Sequence, residues 1–303
     1  DSYGSRGLGD VYKRQSLQNM NLSRIISGTM NWGSWGANYS SKEISELIKC
    51  AYENGINSFD HADIYGGYTT EETFGKAFKL SGLEREKVIF ISKCGIMYPC
   101  EKLQIDVKHY DYSRTHIIKS VENSLKNLNT DYLDCLLLHR PSPIMDIQEI
   151  TDTINYLMDK KMVKSFGVSN FTVSQMSLME KSLKISFNQI NFSLTNYQPM
   201  FDGTLDYMQI HNITPMAYSP LGNFFSTNNK ALYKKIEKMC SKYSCSQDEI
   251  LINWILRHES KIYPVIGTTK KERIIKSSKV EDIEIELVDW FELLEASMGQ
   301  RLP

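Results

Sequence analysis

Four side chains capable of acid–base chemistry lie at or near the ends of short apolar runs. Asp60 closes NSFD, Lys93 closes VIFISK and His139 closes LDCLLLH. Tyr65 follows Asp60 within FDHADIYGGY. Each residue alone has an ordinary explanation: an aspartate that starts a turn, a lysine whose ammonium reaches solvent, or a histidine satisfied in the core. Their recurrence at successive runs favours a functional site instead.

Together these groups have the chemistry to deliver a proton. A phenol with an ordinary pKa near ~10 is protonated at neutral pH, so Tyr65 could donate to an oxygen that is becoming an alkoxide. A neighbouring Lys93 ammonium would stabilise the phenolate and lower that pKa, and Asp60 would offset the cost of burying the ammonium. His139 could orient a carbonyl oxygen or relay a proton, depending on its tautomer.

Runs of strand-forming residues alternate with segments of helical periodicity from Arg24 onward. Eight runs have strand character, at 25–30, 57–61, 88–93, 133–139, 164–168, 187–191, 214–218 and 262–266. Ser41 is expected to cap a helix that ends before Gly55, and a second helix is expected after Ser113. Helical spacing also recurs at 147–160, 172–183, 204–211, 232–242, 247–257, 271–280 and 288–298.

Eight alternations of this kind predict a single α/β domain, a closed (β/α)8 TIM barrel. The alternative, a doubly wound open sheet, would require a glycine fingerprint after the first strand. The sequence there is ISGTMNWG, which contains no G-x-G-x-x-G. In a barrel the C-terminal strand ends meet at one face, where the active site lies, so the four residues are expected to converge there.

Composition excludes several classes of function. The chain has 303 residues, with 35 Lys+Arg against 36 Asp+Glu and a formal net charge of -1. It therefore lacks the positive charge that attracts phosphate backbones or anionic membranes. It has no apolar run of roughly 18 residues and no signal-peptide pattern. Six scattered cysteines without C-x-x-C indicate reduced thiols. These features predict a cytoplasmic protein that binds neither nucleic acid nor membrane.

The first residues are set apart from the fold. Residues 1–15, DSYGSRGLGDVYKRQ, have no helical or strand periodicity and are interpreted as a non-native, adapter-derived segment. The barrel domain is expected to occupy 16–303, with a few native N-terminal residues absent.

These motifs, in this order, resemble those of the aldo-keto reductases. GINSFDHADIYGGYTTEETFG is similar to the family's first motif, which Glu72 and Gly75 close, while ISKCG and LLLHRP resemble the strands that carry its lysine and histidine. The resemblance extends from about residue 26 to the end, and FDHADIYGGY and HRPSP are typical of bacterial members. It implies a nicotinamide cofactor bound without a Rossmann motif, and a catalytic tetrad: Asp60, Tyr65, Lys93 and His139.

The resemblance also implies cofactor contacts. In GVSN and FNQIN, the residues at the nicotinamide carboxamide would be Ser169, Asn170 and Gln189. In AYSPLG, Tyr218 would stack on the ring, with Ser219, Leu221 and Gly222 near the pyrophosphate. The end of the first strand would contribute Gly28, Thr29 and Met30. Taken alone, GVSN is also compatible with an ordinary strand-to-helix turn and YSPLG with a loop.

The segment IGTTKKER bears on the choice of cofactor. A helix N-terminus with hydroxyl and guanidinium groups suits a 2′-phosphate, which favours NADPH over NADH. The residues concerned are Gly267, Thr268, Thr269, Lys270 and Arg273. A solvated basic helix face is the competing interpretation. Many relatives carry lysine where Gly267 stands.

The predicted function is NADPH-dependent reduction of an aldehyde, a ketone or a sugar-derived carbonyl, with Tyr65 as general acid. Aromatic side chains in the loops would line a rather open substrate pocket: Trp32, Tyr98 and Tyr110. A non-catalytic, nicotinamide-binding regulatory subunit is the alternative. A metal-assisted hydrolase using His61, Asp63 and His139 ranks lower, because the later strand ends carry no further His or Glu, and no metal is expected.

Overall fold

Eight parallel strands close into a barrel in the computed structural model, which describes residues 20–302. The barrel strands are β1 (Ile26–Gly28), β2 (Ser58–Asp60), β3 (Ile89–Cys94), β6 (Cys135–Leu138), β7 (Phe166–Ser169), β8 (Phe187–Asn191), β9 (Thr214–Tyr218) and β10 (Tyr263–Ile266). Their order around the barrel is β1-β10-β9-β8-β7-β6-β3-β2. A small antiparallel hairpin, β4 (Ile96–Met97) and β5 (His109–Tyr110), stands outside it. The predicted (β/α)8 barrel is confirmed.

Helices follow the strands and cover the barrel. They are α1 (Ser41–Glu53), α2 (Thr70–Ser81), α3 (Arg114–Leu128), α4 (Ile147–Asp159), α5 (Val173–Met179), α6 (Thr204–Ile210), α7 (Lys230–Tyr243), α8 (Gln247–Leu256), α9 (Lys271–Ser278) and α10 (Leu287–Met298). Within the described part of the chain, no helix combines the length and apolar character needed to cross a bilayer. Residues 1–15, predicted to be adapter-derived, lie outside the described residues.

Several local expectations need correction. Helix α2 and the β4–β5 hairpin were not predicted. The first strand ends at Gly28, because Met30–Trp32 forms a 3-10 turn. Ser40, not Ser41, caps α1: its side chain accepts from the Glu43 N–H while the Glu43 carboxylate accepts from the Ser40 N–H.

The core has two layers because side chains alternate along each strand. In β3, Ile89 and Ile91 belong to the apolar cluster inside the barrel, together with Leu137 of β6. Phe90, between them, belongs to the larger layer that packs the strands against the helices. Burying one such side chain stabilises a fold by roughly 1.5–3 kcal/mol, so this double layer holds the barrel closed.

Helix α2 packs against the end of α3 at Gly75. A Cβ atom at Gly75 would lie 2.1 Å from the carbonyl oxygen of Asn127 and 2.8 Å from the carbonyl carbon of Leu128. Both are backbone atoms, which cannot turn away as a flexible side chain can. The missing side chain is therefore what lets the two helices approach each other.

Two carboxyl groups are buried between the barrel and these helices. Asp63 accepts hydrogen bonds of 2.7 Å from the Ser120 hydroxyl and the Ile64 N–H. Glu71 accepts one of 2.6 Å from the Ser92 hydroxyl. Burial raises the pKa of Asp63 to about 8 and that of Glu71 to about 6. Both groups are held through neutral donors, which compensate an ionised carboxylate less than a cation would.

Gly75→Ala tests the packing of α2 on α3. Overpacking should lower the free energy of unfolding by about 2–3 kcal/mol, more than the roughly 1 kcal/mol of helix propensity gained by the alanine. Urea denaturation measures the change. Gly82→Ala is the matched control, because a Cβ atom at Gly82 would meet open space. Placing alanine at the φ of 72° found there should lower the free energy of unfolding by only about 1 kcal/mol. Equal stability of Gly75→Ala and the wild type would contradict the contact.

Asp63→Asn tests the buried carboxyl. The unfolded chain releases this proton near pH ~4, whereas the folded protein holds it until about pH 8. Ionisation of Asp63 therefore opposes folding increasingly as the pH rises between those values. Relative to the wild type, the variant should gain stability steadily from pH 5 to pH 8 in urea titrations. A difference between the two proteins that does not change with pH would refute the raised pKa.

Candidate active site

The predicted catalytic residues meet at the C-terminal mouth of the barrel. Asp60 ends β2, Lys93 lies near the end of β3, His139 follows β6, and Tyr65 lies five residues beyond Asp60. Asp60, Tyr65 and His139 line a cavity of about 840 Å³. Lys93 lies beneath it and is 1% exposed. The barrel therefore assembles the four side chains that the strand ends indicated.

The ammonium of Lys93 is the hub of the site. Its Nζ donates to Asp60 Oδ2 at 2.7 Å, to the carbonyl oxygen of His61 at 2.7 Å and to Tyr65 Oη at 3.1 Å. An ammonium has three hydrogens, so all of them are used. On the far side, Gln189 Nε2 donates to Asp60 Oδ1 at 2.8 Å. A continuous hydrogen-bonded chain therefore runs from Gln189 to the phenol of Tyr65.

Burial and charge set the protonation states of this chain. Burial lowers the pKa of Lys93, but Asp60 and Tyr65 outweigh it and hold that pKa above its ordinary value. Burial raises the pKa of Tyr65, and the nearby Lys93 ammonium only partly offsets this. Lys93 therefore acts to lower the pKa of the phenol, as expected from the sequence, but burial keeps that pKa above its ordinary value. At neutral pH the pair is an ammonium and a neutral phenol.

His139 is a neutral imidazole beside Tyr65. The two rings meet edge to face, with centroids 6.0 Å apart. Burial, followed by the charges of Lys93 and Arg140, holds the pKa of His139 well below its ordinary value. Within residues 20–302, its Nδ1 is buried without a hydrogen-bond partner. The histidine is thus a neutral polar group at the cavity wall.

A left-handed turn follows Tyr65. Gly66, Gly67 and Tyr68 have φ values of 61°, 63° and 68°, a conformation that glycine adopts readily. A Cβ at Gly66 would lie 2.5 Å from Thr70 Oγ1. The Gly66 carbonyl also accepts from Ser34 Oγ at 3.1 Å, which ties the turn to the loop after β1. The YGG sequence therefore lets the chain enter α2 directly after the phenol.

Most residues predicted to contact the cofactor line the same cavity: Gly28, Met30, Ser169, Gln189, Tyr218, Ser219, Leu221, Gly222, Gly267, Thr268 and Arg273. The lining leaves out Thr29, Asn170, Thr269 and Lys270. Asn170 is close behind it: its Oδ1 accepts from the Tyr218 hydroxyl at 2.9 Å and its Nδ2 donates to Ser169 Oγ at 2.8 Å. Asn170 therefore holds the tyrosine ring in place.

Thr29 has an internal role. It is fully buried, its hydroxyl donates to the carbonyl oxygen of Asp60 at 3.1 Å, and it lies 2.9 Å from His61 Nδ1. Thr29 thus braces the end of β2 instead of facing the cavity.

Three side chains from the loop after β1 form hydrogen bonds with the loop before α9. Asn31 Nδ2 donates to the carbonyl oxygen of Gly267 at 3.1 Å, Trp32 Nε1 to that of Thr268 at 2.9 Å, and Tyr39 Oη to that of Thr269 at 3.2 Å. Helix α9 begins after Lys270 without a side-chain cap. The Arg273 N–H donates to the carbonyl oxygen of Lys270, whereas the N–H groups of Lys271 and Glu272 are left for a ligand or water.

The aromatic residues expected in the substrate pocket separate into different places. Of the three, Tyr98 lines the cavity, where its ring centroid lies 5.1 Å from that of a further lining residue, Trp35. Trp32 does not: it is 0% exposed and packs on Phe74 at 6.3 Å, so its prediction as a pocket residue is corrected. Tyr110 lies beside the cavity, in a cluster with Ile96 and Tyr98.

Several lining residues were not identified from the sequence: Asn31, Lys108, Arg140 and Asp248. The only signal for Arg140 was its place directly after the strand-end histidine.

The lower-ranked interpretation of His61, Asp63 and His139 as a metal site is not supported by the structure. Among residues 20–302, no group of three or more His, Cys, Asp or Glu side chains is arranged to hold a metal ion. His61 packs in the core, 4.3 Å from the ring centroid of Phe74.

Comparison with known proteins identifies the family to which this chain belongs. The sequence model of the Aldo/keto reductase family matches residues 24–293. The uncharacterized oxidoreductase YcsN of Bacillus subtilis is 38% identical, over 95% of this chain and 99% of that protein. A 6-dehydroglucose reductase of Agrobacterium fabrum is 35% identical, over 93% of this chain and 97% of that protein. The solved thermostable aldo-keto reductase Tm1743, in complex with the inhibitor epalrestat, is 26% identical with a TM-score of 0.78, covering 90% of this chain and 94% of that one.

These likenesses extend over the whole barrel and are not confined to one motif. The matched range of 24–293 contains every barrel strand, from Ile26 in β1 to Ile266 in β10. The chain therefore belongs to the Aldo/keto reductase family and is an oxidoreductase.

Proposed function

We propose that this protein reduces a small aldehyde or ketone to an alcohol with NADPH, and that Tyr65 is the general acid. The observation that carries the proposal is the Lys93 ammonium, hydrogen-bonded to both Asp60 and Tyr65 at the floor of a large cavity. The same cavity reaches the GVSN and YSPLG turns through Ser169 and Tyr218. The proposed proton donor and the segments proposed to bind the dinucleotide thus line the same cavity.

The residues around the cavity fit a reduced nicotinamide dinucleotide. Tyr218 is half-buried and held by Asn170, so its ring is a rigid surface for stacking. Ser169 and Gln189 offer polar atoms beside it. At the other end, Thr268 and Arg273 line the cavity where α9 begins uncapped, which suits a 2′-phosphate. When bound, NADPH supplies a hydride from nicotinamide C4.

The side chains of this protein would donate the proton and stabilise the charge that its transfer leaves behind. Tyr65, neutral and protonated, donates to the carbonyl oxygen as negative charge develops there. The phenolate left behind lies 3.1 Å from the Lys93 ammonium, which stabilises it in a largely desolvated setting. Asp60 fixes the ammonium and is itself fixed by Gln189. The neutral imidazole of His139 has one N–H, which can orient the carbonyl oxygen.

The alternative, a nicotinamide-binding subunit without turnover, would need a cofactor site but no proton donor. The buried Asp60–Lys93–Tyr65 chain argues against it. An ammonium in a desolvated site is costly without a counter-charge, and this one is aligned on a phenol facing the cavity. A regulatory role gives no reason for that arrangement.

Tyr65→Phe tests the proton donor. Loss of the hydroxyl should reduce kcat for NADPH-dependent reduction of benzaldehyde by about 10²–10⁴-fold, with the Kd for NADPH in fluorescence titrations nearly unchanged. Tyr68→Phe is the matched control, because the Tyr68 hydroxyl is held by main-chain groups of Ile96 and Tyr98. Full turnover by Tyr65→Phe would remove the phenol from the mechanism. Cofactor binding by the wild type without any turnover would favour the regulatory alternative.

Arg273→Ala tests the 2′-phosphate contact. Loss of a charge-assisted hydrogen bond of about 1.5–3 kcal/mol should raise the KM for NADPH by about 10–100-fold and leave the KM for NADH nearly unchanged. Lys276→Ala is the control on the same helix, since its partner is Glu249 at 4.0 Å and it does not line the cavity. An equal rise in KM for both cofactors would contradict a role in phosphate recognition.

A further inference from the structure

Two cations line the cavity on the side of His139. Arg140 follows His139 directly, and Lys108 precedes β5 in the hairpin segment. Arg140 is half-buried and Lys108 is exposed. The proposed transfer of a proton from Tyr65 uses neither of them.

Arg140 is held firmly in place. Its backbone N–H donates to Tyr112 Oη at 3.1 Å, and the Tyr112 hydroxyl donates to its carbonyl oxygen. Its Nη1 donates to Tyr218 Oη at 3.4 Å, a long hydrogen bond, with the guanidinium carbon 5.6 Å from the ring centroid. Tyr112 is itself buried. Tyr112 thus fixes the main chain of Arg140, while the guanidinium keeps most of its donors unused.

Neither cation has a counter-charge in residues 20–302. Arg140 and Lys108 form no ion pair with any carboxylate of the described chain. Of the carboxylates that line the cavity, Asp60 is engaged by Lys93 and Gln189. Asp248 lies on α8, which packs against α9. A half-buried guanidinium remains charged and favours an oxyanion partner.

The charges of Arg140 and Lys108 act electrostatically on the proposed catalytic residues. After burial, Lys93, Arg140 and Lys108 all act to lower the pKa of His139, and Arg140 also acts on Tyr65. A ligand anchored by Arg140 therefore lies within electrostatic range of the phenol. Because Arg140, Lys108, Tyr65 and His139 line one cavity, a single ligand could present a carbonyl to the phenol and a charge to the cations.

We propose that Arg140 and Lys108 form an anion subsite, through which the enzyme selects carbonyl substrates that carry a carboxylate or phosphate group. The inference rests on the proposed function and adds the substrate class. Arg140 supplies a planar fork able to hold two oxygens, and Lys108 supplies a second charge at the rim. The subsite is separate from the uncapped start of α9, where Arg273 lies.

The test compares two aldehydes that differ in charge. With NADPH, kcat/KM is measured for 4-carboxybenzaldehyde and for its uncharged methyl ester. The wild type should prefer the acid by about tenfold or more, as expected for a charge-assisted contact. Added KCl should reduce that preference, because Lys108 is exposed. 4-Formylphenyl phosphate is the second arm: a larger preference for it than for the acid would identify phosphate as the anion.

Arg140→Gln should bring the ratio of acid to ester close to one, and Lys108→Gln should lower it about threefold. The ratio separates this subsite from a merely structural role, because an effect of Arg140 through Tyr218 would change both substrates alike. Lys119→Gln, at an exposed lysine of α3, should leave the ratio unchanged. Circular dichroism checks that each variant is folded.

The outcomes distinguish the two proposals. If the wild type reduces the ester but shows no preference for either anion, the subsite is refuted and the reductase function stands. If Arg140→Gln and Lys108→Gln lower both rates in proportion, the cations do not recognise substrate charge. If neither aldehyde nor the phosphate is reduced, the failure lies with the proposed function itself.

Discussion

The ion pair between Lys93 and Asp60 is the interaction on which the rest of the site depends. An ammonium that is 1% exposed loses nearly all of its hydration, and only a close counter-charge and full hydrogen bonding compensate for that loss. Asp60 at 2.7 Å supplies the charge, and the His61 carbonyl and Tyr65 phenol supply the remaining acceptors. The pairing of β2 with β3 brings these groups together. Barrel closure and the proposed acid–base chemistry therefore share one requirement, the pairing of β2 with β3.

The cavity divides into two electrostatic regions around this pair. Toward α9 it offers Thr268, Arg273 and an uncapped helix start, which suit the anionic end of a dinucleotide. Toward His139 it offers Arg140 and Lys108. Between these two regions, the ammonium of Lys93 is paired with Asp60 and the imidazole of His139 is uncharged.

Much of this arrangement could be predicted from the sequence, because short apolar strands that end in ionisable residues form a local pattern. The bounds of β8 and β9 match the predicted ones. Helix α2 was missed because Gly75 interrupts its apolar stripe and threonines occupy its first turn, features that indicate a loop. Trp32 stands in a loop sequence, yet it is buried by contacts with Phe59 and Phe74. The pKa of Tyr65 depends on burial, a property that residue types and spacing do not contain.

The hydrogen bonds that join the loop after β1 to the loop before α9 cross the seam where the first strand meets the last. Asn31, Trp32 and Tyr39 donate from one side, and the carbonyls of residues 267–269 accept on the other. Trp35, on the cavity rim, belongs to the donor loop. Because neither loop can swing outward without breaking these bonds, a dinucleotide held at α9, as proposed, would also stiffen this rim of the cavity. By thermodynamic linkage, ordering caused by either ligand would favour the other, so the seam gives a structural reason for the two proposed ligands to bind cooperatively.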